Sequence, residues 1–160
     1  MSAKTREAES ANEAVAETKS KAPTRPPGLK VLDKLVGRWT ISGGSEGEVS
    51  YEWMDGGFFL FQRGEVKRDD GKYKYRGFIG YEHGPGAEPA KVITSRLYTS
   101  TGDTLDYTSE ADEKGMTIWF GAKGSPAVYR GEWSDDGNTL SGEWKWPGGG
   151  YKETMTRQKA

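Results

Sequence analysis

The sequence predicts an all-β domain: one antiparallel sheet rolled into an up-and-down barrel of about eight to ten strands, with a short helical plug at its N-terminal end. Three observations carry that expectation. Between Trp39, within Gly37-Arg38-Trp39-Thr40, and Arg157 run about ten short segments punctuated by Gly, Asp and Asn. Six Trp, eight Tyr and five Phe give the chain its apolar bulk, against few Leu and Ile. Glycine is abundant, at 23 residues, and most of it falls where turns are needed. Aromatic side chains fit a pleated, half-buried surface, and glycine supplies the positive φ of tight hairpins.

The elements follow in order. Residues 1–28 (MSAKTREAES ANEAVAETKS KAPTRPPG) lack any aromatic residue and read as a disordered tail ending at Pro26-Pro27-Gly28. Residues 29–158 are the expected barrel domain. Leu29, Leu32, Leu35 and Val36 recur at helical spacing, too briefly for an independent helix, so they are read as the plug. Strands are expected over 38–42, 48–54, 58–67, 72–81, 91–98, 104–110, 116–120, 127–133, 140–146 and 151–157. Val49, Tyr51 and Trp53 alternate with Glu48, Ser50 and Glu52, as a strand with one wet face must. In the last hairpin Leu140, Gly142, Trp144 and Trp146 share one face, and Tyr151, Glu153, Met155 and Arg157 share another. Asp55-Gly56-Gly57, Asp69-Asp70-Gly71, Thr101-Gly102-Asp103 and Asp135-Asp136-Gly137-Asn138 supply the turns. Short, regular turns imply that neighbours pair in order.

At this point a likeness emerges. A short helix, Gly-x-Trp opening the first strand, and an Arg near the end of the meander resemble the calycin barrels, the lipocalins and fatty-acid-binding proteins. More closely, Ile79-Gly80-Tyr81, Ser95-Arg96-Leu97-Tyr98, Asn138 to Trp144 and Met155-Thr156-Arg157 resemble the uncharacterised bacterial DUF1579-type proteins, over roughly residues 29–158. The resemblance implies a calycin-like barrel in which Trp39 and Arg157 are structural, the guanidinium stacking on the indole at the seam. It implies no activity.

Composition excludes several classes of chemistry. With 23 basic and 24 acidic residues mixed along the chain, the net charge of −1 offers no footprint for nucleic acid or an anionic membrane. Lys72-Tyr73-Lys74-Tyr75-Arg76-Gly77-Phe78 interleaves cations with aromatics like an RNA-recognition strand, but strand alternation turns the cations to solvent. Cysteine is absent, so thiolate nucleophiles and Cys-ligated metals are excluded. The only histidine, His83, lies in a Gly/Pro loop, where a solvated role outweighs haem ligation or base catalysis. The acidic pairs sit at turns and need no calcium to explain them. No metal and no cofactor is expected. The sequence lacks an apolar run of signal or membrane-spanning length, so the expectation is a cytoplasmic protein, monomer or homodimer.

What remains is an inward constellation of aromatic residues with a few polar groups, the usual way to hold a small apolar or aromatic molecule. The expected walls are Trp53, Tyr75, Tyr107, Trp119, Trp133 and Trp144. Arg96 (or its neighbour Ser95) and Glu153 are expected to orient a polar end, with Glu153 paired to Arg96 or Arg157. Two alternatives share these residues. One is an isomerase, cyclase or decarboxylase using Glu153 or a tyrosine as acid/base and Arg96 as anion stabiliser. The other is a filled barrel that meets a protein partner through an exposed Trp119 or Trp146.

Overall fold

Leu29, Leu32 and Leu35 stand three residues apart, the period of a 3-10 helix, and stacking them on one side buries all three. In the computed structural model, which describes residues 23–159, a 3-10 helix accordingly spans Pro27–Leu35. The Pro26-Pro27 pair starts it, since a fixed φ suits a first helical position. Ten strands follow: β1 Gly37–Gly43, β2 Glu46–Trp53, β3 Phe59–Arg68, β4 Gly71–Gly80, β5 Ile93–Thr99, β6 Thr104–Ala111, β7 Gly115–Phe120, β8 Val128–Trp133, β9 Thr139–Trp146 and β10 Gly149–Arg157. Each pairs antiparallel with its chain neighbour, and β1 pairs with β10 to close the barrel. Closure leaves no sheet edge to recruit another strand.

The seam sits where the sequence places it. Trp39 lies opposite Arg157 across the β1–β10 pair, with the guanidinium carbon 4.2 Å from the indole centroid. The same two side chains finish the helix. Its last carbonyls lack partners within the helix. Arg157 donates to the carbonyls of Lys34 (2.8 Å) and Val36 (2.6 Å), and the Trp39 indole donates to that of Leu35 (2.8 Å). The pair therefore ties the plug to the closing strands as well as sealing the sheet. Gly37, at φ +129°, turns the chain from helix into β1, and a β-carbon there would stand 2.8 Å from an Arg157 nitrogen.

Contacts with the barrel reach upstream of residue 29. Arg25 stacks over Trp53 at 4.2 Å and pairs with Asp33 at 2.8 Å, contacts made from within the expected tail of residues 1–28. The rest of the expected tail, residues 1–22, lies outside the described residues. Lys34 reaches the Glu113 carbonyl in the β6–β7 turn, pinning the plug on its far side. Among the described residues no helix is long and apolar enough to cross a membrane.

Strand direction then sorts the two ends. The helix, the β2–β3, β4–β5, β6–β7 and β8–β9 connections and Arg157 gather at one end. The other five hairpins surround the opposite end, which carries no plug among the described residues. His83 lies in the β4–β5 loop at the plugged end, exposed, its Nδ1 3.1 Å from the Gly84 carbonyl oxygen.

Candidate functional site

The barrel is hollow. A cavity of about 380 Å³ runs from Leu35 of the plug toward the unplugged end, within the range of small-ligand sites. Its floor is apolar, with Ile41, Val49, Ile79, Met116, Leu140 and Met155 packed around the helix. Above them six of the eight tyrosines line the wall: Tyr51, Tyr73, Tyr75, Tyr107, Tyr129 and Tyr151. Trp144 stands between Tyr107 (6.0 Å between centroids) and Tyr129 (5.7 Å), giving a continuous aromatic surface.

Inward glycines explain why so many rings leave room. Gly64 on β3 faces Tyr75 on β4, and a β-carbon at Gly64 would overlap the phenol ring. Gly131 and Gly142 do the same for Tyr129, whose ring carbons would lie 2.7–2.8 Å from their added β-carbons. With no side chain beneath them, these rings lie along the wall instead of projecting into the lumen.

Two charged groups line this space. Arg68, the last residue of β3, crosses the mouth to β10 and donates to the Tyr151 hydroxyl at 2.9 Å. Its guanidinium carbon lies 5.3 Å from the Tyr73 ring and 5.2 Å from the Tyr151 ring, held between two aromatic faces. Glu153 on β10 is the carboxylate of the lining, and among the described residues no side chain hydrogen-bonds to it. Burial raises its pKa above the usual glutamate value, an effect that the Arg68 charge partly offsets. Burial also raises Tyr107 to about 12, and lifts Tyr51, Tyr75, Tyr129 and Tyr151 well above the ordinary phenol value, with the charge of Glu153 adding to it. At neutral pH the phenols are therefore protonated donors. Gln62 donates to Tyr51 at 3.1 Å, which leaves that hydroxyl's own proton pointing to Met155 sulfur, 3.9 Å away.

The raised Glu153 pKa has a consequence for stability. Between the unfolded and folded values the native state binds the extra proton, so stability falls as pH rises through that window. Glu153→Gln is expected to raise the melting temperature at pH values above that window, where the native carboxylate is ionised. The gain should fade below the ordinary glutamate range. An equal gain at both pH values would show that the ionised carboxylate costs the fold nothing.

Four of the eight residues expected to form a site line the cavity: Tyr75, Tyr107, Trp144 and Glu153. Four do not. Trp53 and Trp133 face inward, as alternation requires, but at the plugged ends of β2 and β8. There Trp53 donates to Asp33 (2.8 Å) and Trp133 packs on Trp39 (5.8 Å), both cut off from the lumen by the helix. Arg96 points outward and pairs with Asp106 at 2.7 Å; its neighbour Ser95 takes the inward position. Trp119 also faces out, yet it is 7% exposed, and Lys123 of the β7–β8 loop lies over its ring. Neither pairing expected for Glu153 forms, since Arg157 spends its guanidinium on carbonyls and Arg96 lies on the other face. Sequence reasoning ended the third strand at residue 67 and so missed Arg68. The signal was present: Leu60, Gln62, Gly64, Val66 and Arg68 stand two apart on one strand.

A wider depression of about 700 Å³ marks the outer wall, lined by Glu110, Thr117, Arg130, Glu132, Glu143 and Lys152 among others. Its charges are cross-strand neighbours, Arg130 opposite Glu143 and Glu143 opposite Lys152, as a solvated sheet face displays. Among the described residues no three His, Asp or Glu side chains gather as a metal set would. No family model and no curated protein matches the chain.

Proposed function

We propose that this chain binds a small apolar or aromatic molecule inside its barrel, and that it is a calycin-type binding protein of the kind its resemblance to the DUF1579-type proteins implies. The observation that carries the reading is the cavity itself. It is closed at one end by leucines, walled by tyrosine rings and Trp144, and supplied with a few polar groups on otherwise apolar walls. Tyr75, Tyr107 and Trp144 provide flat apolar surface, while Glu153 and Arg68 orient a polar end. A filled barrel serving only as an interaction module would lack this space. Of the two indoles such a module would present, Trp119 is buried, while Trp146 is exposed and also lines the cavity.

Indole placement makes a sharp test. Of the six tryptophans only Trp144 and Trp146 line the cavity. Titrating the protein with a panel of bicyclic aromatic compounds is expected to change tryptophan fluorescence. Trp144→Phe should remove most of that change, and Trp119→Phe should leave it intact. The reverse pattern would move binding to the outer surface. Native mass spectrometry of protein purified from its own host is expected to show a co-purifying small molecule.

A catalytic reading keeps one supporting observation, the raised pKa of Glu153 within an enclosed cavity. In that reading Arg68 takes the anion-stabilising role that Arg96, on the outer wall, has no access to fill.

A further inference from the structure

We propose that the molecule taken by this barrel carries a positively charged nitrogen, and that Glu153 with the rings around it forms the seat for that ammonium group. The proposal rests on reading the cavity as a ligand site, and it names the ligand's chemistry.

The polar inventory of the cavity points one way. Glu153 is half-buried in the cavity wall, and among the described residues it forms no ion pair and no side-chain hydrogen bond; the opposite charge that reaches it is that of Arg68. Arg68, the cation of the lining, is exposed at the mouth and already engaged with the Tyr151 hydroxyl and two rings. The remaining titratable groups facing Glu153 are the phenols Tyr51 on β2, Tyr73 and Tyr75 on β4, Tyr107 on β6 and Tyr129 on β8, with Tyr151 beside it on β10. The plug, β1, β5, β7 and β9 contribute none.

Aromatic faces are electron-rich and attract cations, so the wall and the carboxylate act in the same sense. The mouth already displays the interaction: two of these rings hold the Arg68 guanidinium between them. An anionic ligand meets the opposite situation, facing Glu153 inside and one preoccupied arginine at the rim. A neutral ligand leaves the carboxylate unpaired. A flat apolar body bearing a protonated amine satisfies the floor, the rings and Glu153 together.

Calorimetric titration of the full chain with naphthylmethylamine, naphthalenemethanol and naphthoate tests this, since the three share one bicyclic body and differ in charge. The amine is expected to bind at least about tenfold more tightly than the alcohol, and naphthoate most weakly. Glu153→Gln should bring the amine to within about twofold of the alcohol. In the unmutated protein, lowering the pH through the range where Glu153 protonates should weaken the amine alone, because the phenols stay neutral throughout. That arm does not depend on how well the variant folds. If the alcohol or naphthoate binds as tightly as the amine, or the amine preference survives Glu153→Gln, the ammonium seat is wrong while the cavity reading stands. If none of the three binds, both are wrong.

Discussion

Replacing Trp39 with alanine is expected to cost the fold about 3–5 kcal/mol, the range for removing a fully buried large aromatic side chain. Trp39 is 0% exposed, so its indole leaves a cavity that its neighbours cannot close without moving. Three further losses act in the same direction. The Leu35 carbonyl loses its donor, Arg157 loses the ring it stacks on, and Trp133 loses its partner 5.8 Å away. Each touches a different element, so helix, seam and β8 loosen together. Urea denaturation measures the effect directly. Arg157→Lys is expected to cost less, about 1–2 kcal/mol, because it keeps the charge and loses the planar fork that reaches two carbonyls at once. A Trp39→Ala variant destabilised by under about 1 kcal/mol would mean that the seam does not hold the barrel shut.

Placing one methyl group at Gly64 is expected to empty the site of ligand. The backbone at Gly64 accepts a side chain, so the cost is steric: the new β-carbon overlaps the Tyr75 ring. The ring must then lift from the wall into the lumen. Such overpacking costs about 1–3 kcal/mol of stability. The displaced phenol also occupies space a ligand needs, so affinity for any molecule in the barrel should fall by more than about tenfold. Adding Tyr75→Ser to Gly64→Ala removes the clash and should recover most of the lost stability, a coupling of about 1–2 kcal/mol in a double-mutant cycle. Additive stability losses would show that the ring is not held against Gly64. Ligand affinity unchanged in Gly64→Ala would place the binding surface elsewhere.

Much of the architecture was readable from residue order. A period of two in β2, β4 and β9 assigned Tyr51, Tyr75 and Trp144 to the inner face, and short Gly/Asp turns required neighbours to pair in sequence. The Trp39–Arg157 seam was legible because a closed meander must bring its first and last strands together. The spacing of Leu29, Leu32 and Leu35 was legible as a short helical plug; that it is a 3-10 helix is a finding of the structure.

Depth along the barrel was not readable in the same way. Alternation states which face a side chain occupies; it does not state how far from either end. Trp53 and Trp144 follow the same rule, yet one lies beneath the plug against Asp33 and the other lines the cavity. For Arg96 the phase was decided by Ile93 and Leu97, both buried, which commit Ser95 inward and turn the guanidinium to Asp106. Trp119, on the outer wall, is buried at a place where Lys123 of the β7–β8 loop lies over its ring.

Face and order are local properties, written into the chain by side-chain periodicity and turn chemistry. The hollow is not. It exists because Gly64 comes to lie beneath Tyr75 and Gly142 beneath Tyr129, pairs brought together by the register of β3 with β4 and of β8 with β9. Strand pairing makes neighbours of residues that one strand keeps apart, and the closing of β1 on β10 wraps those walls around one space with Glu153 in its lining.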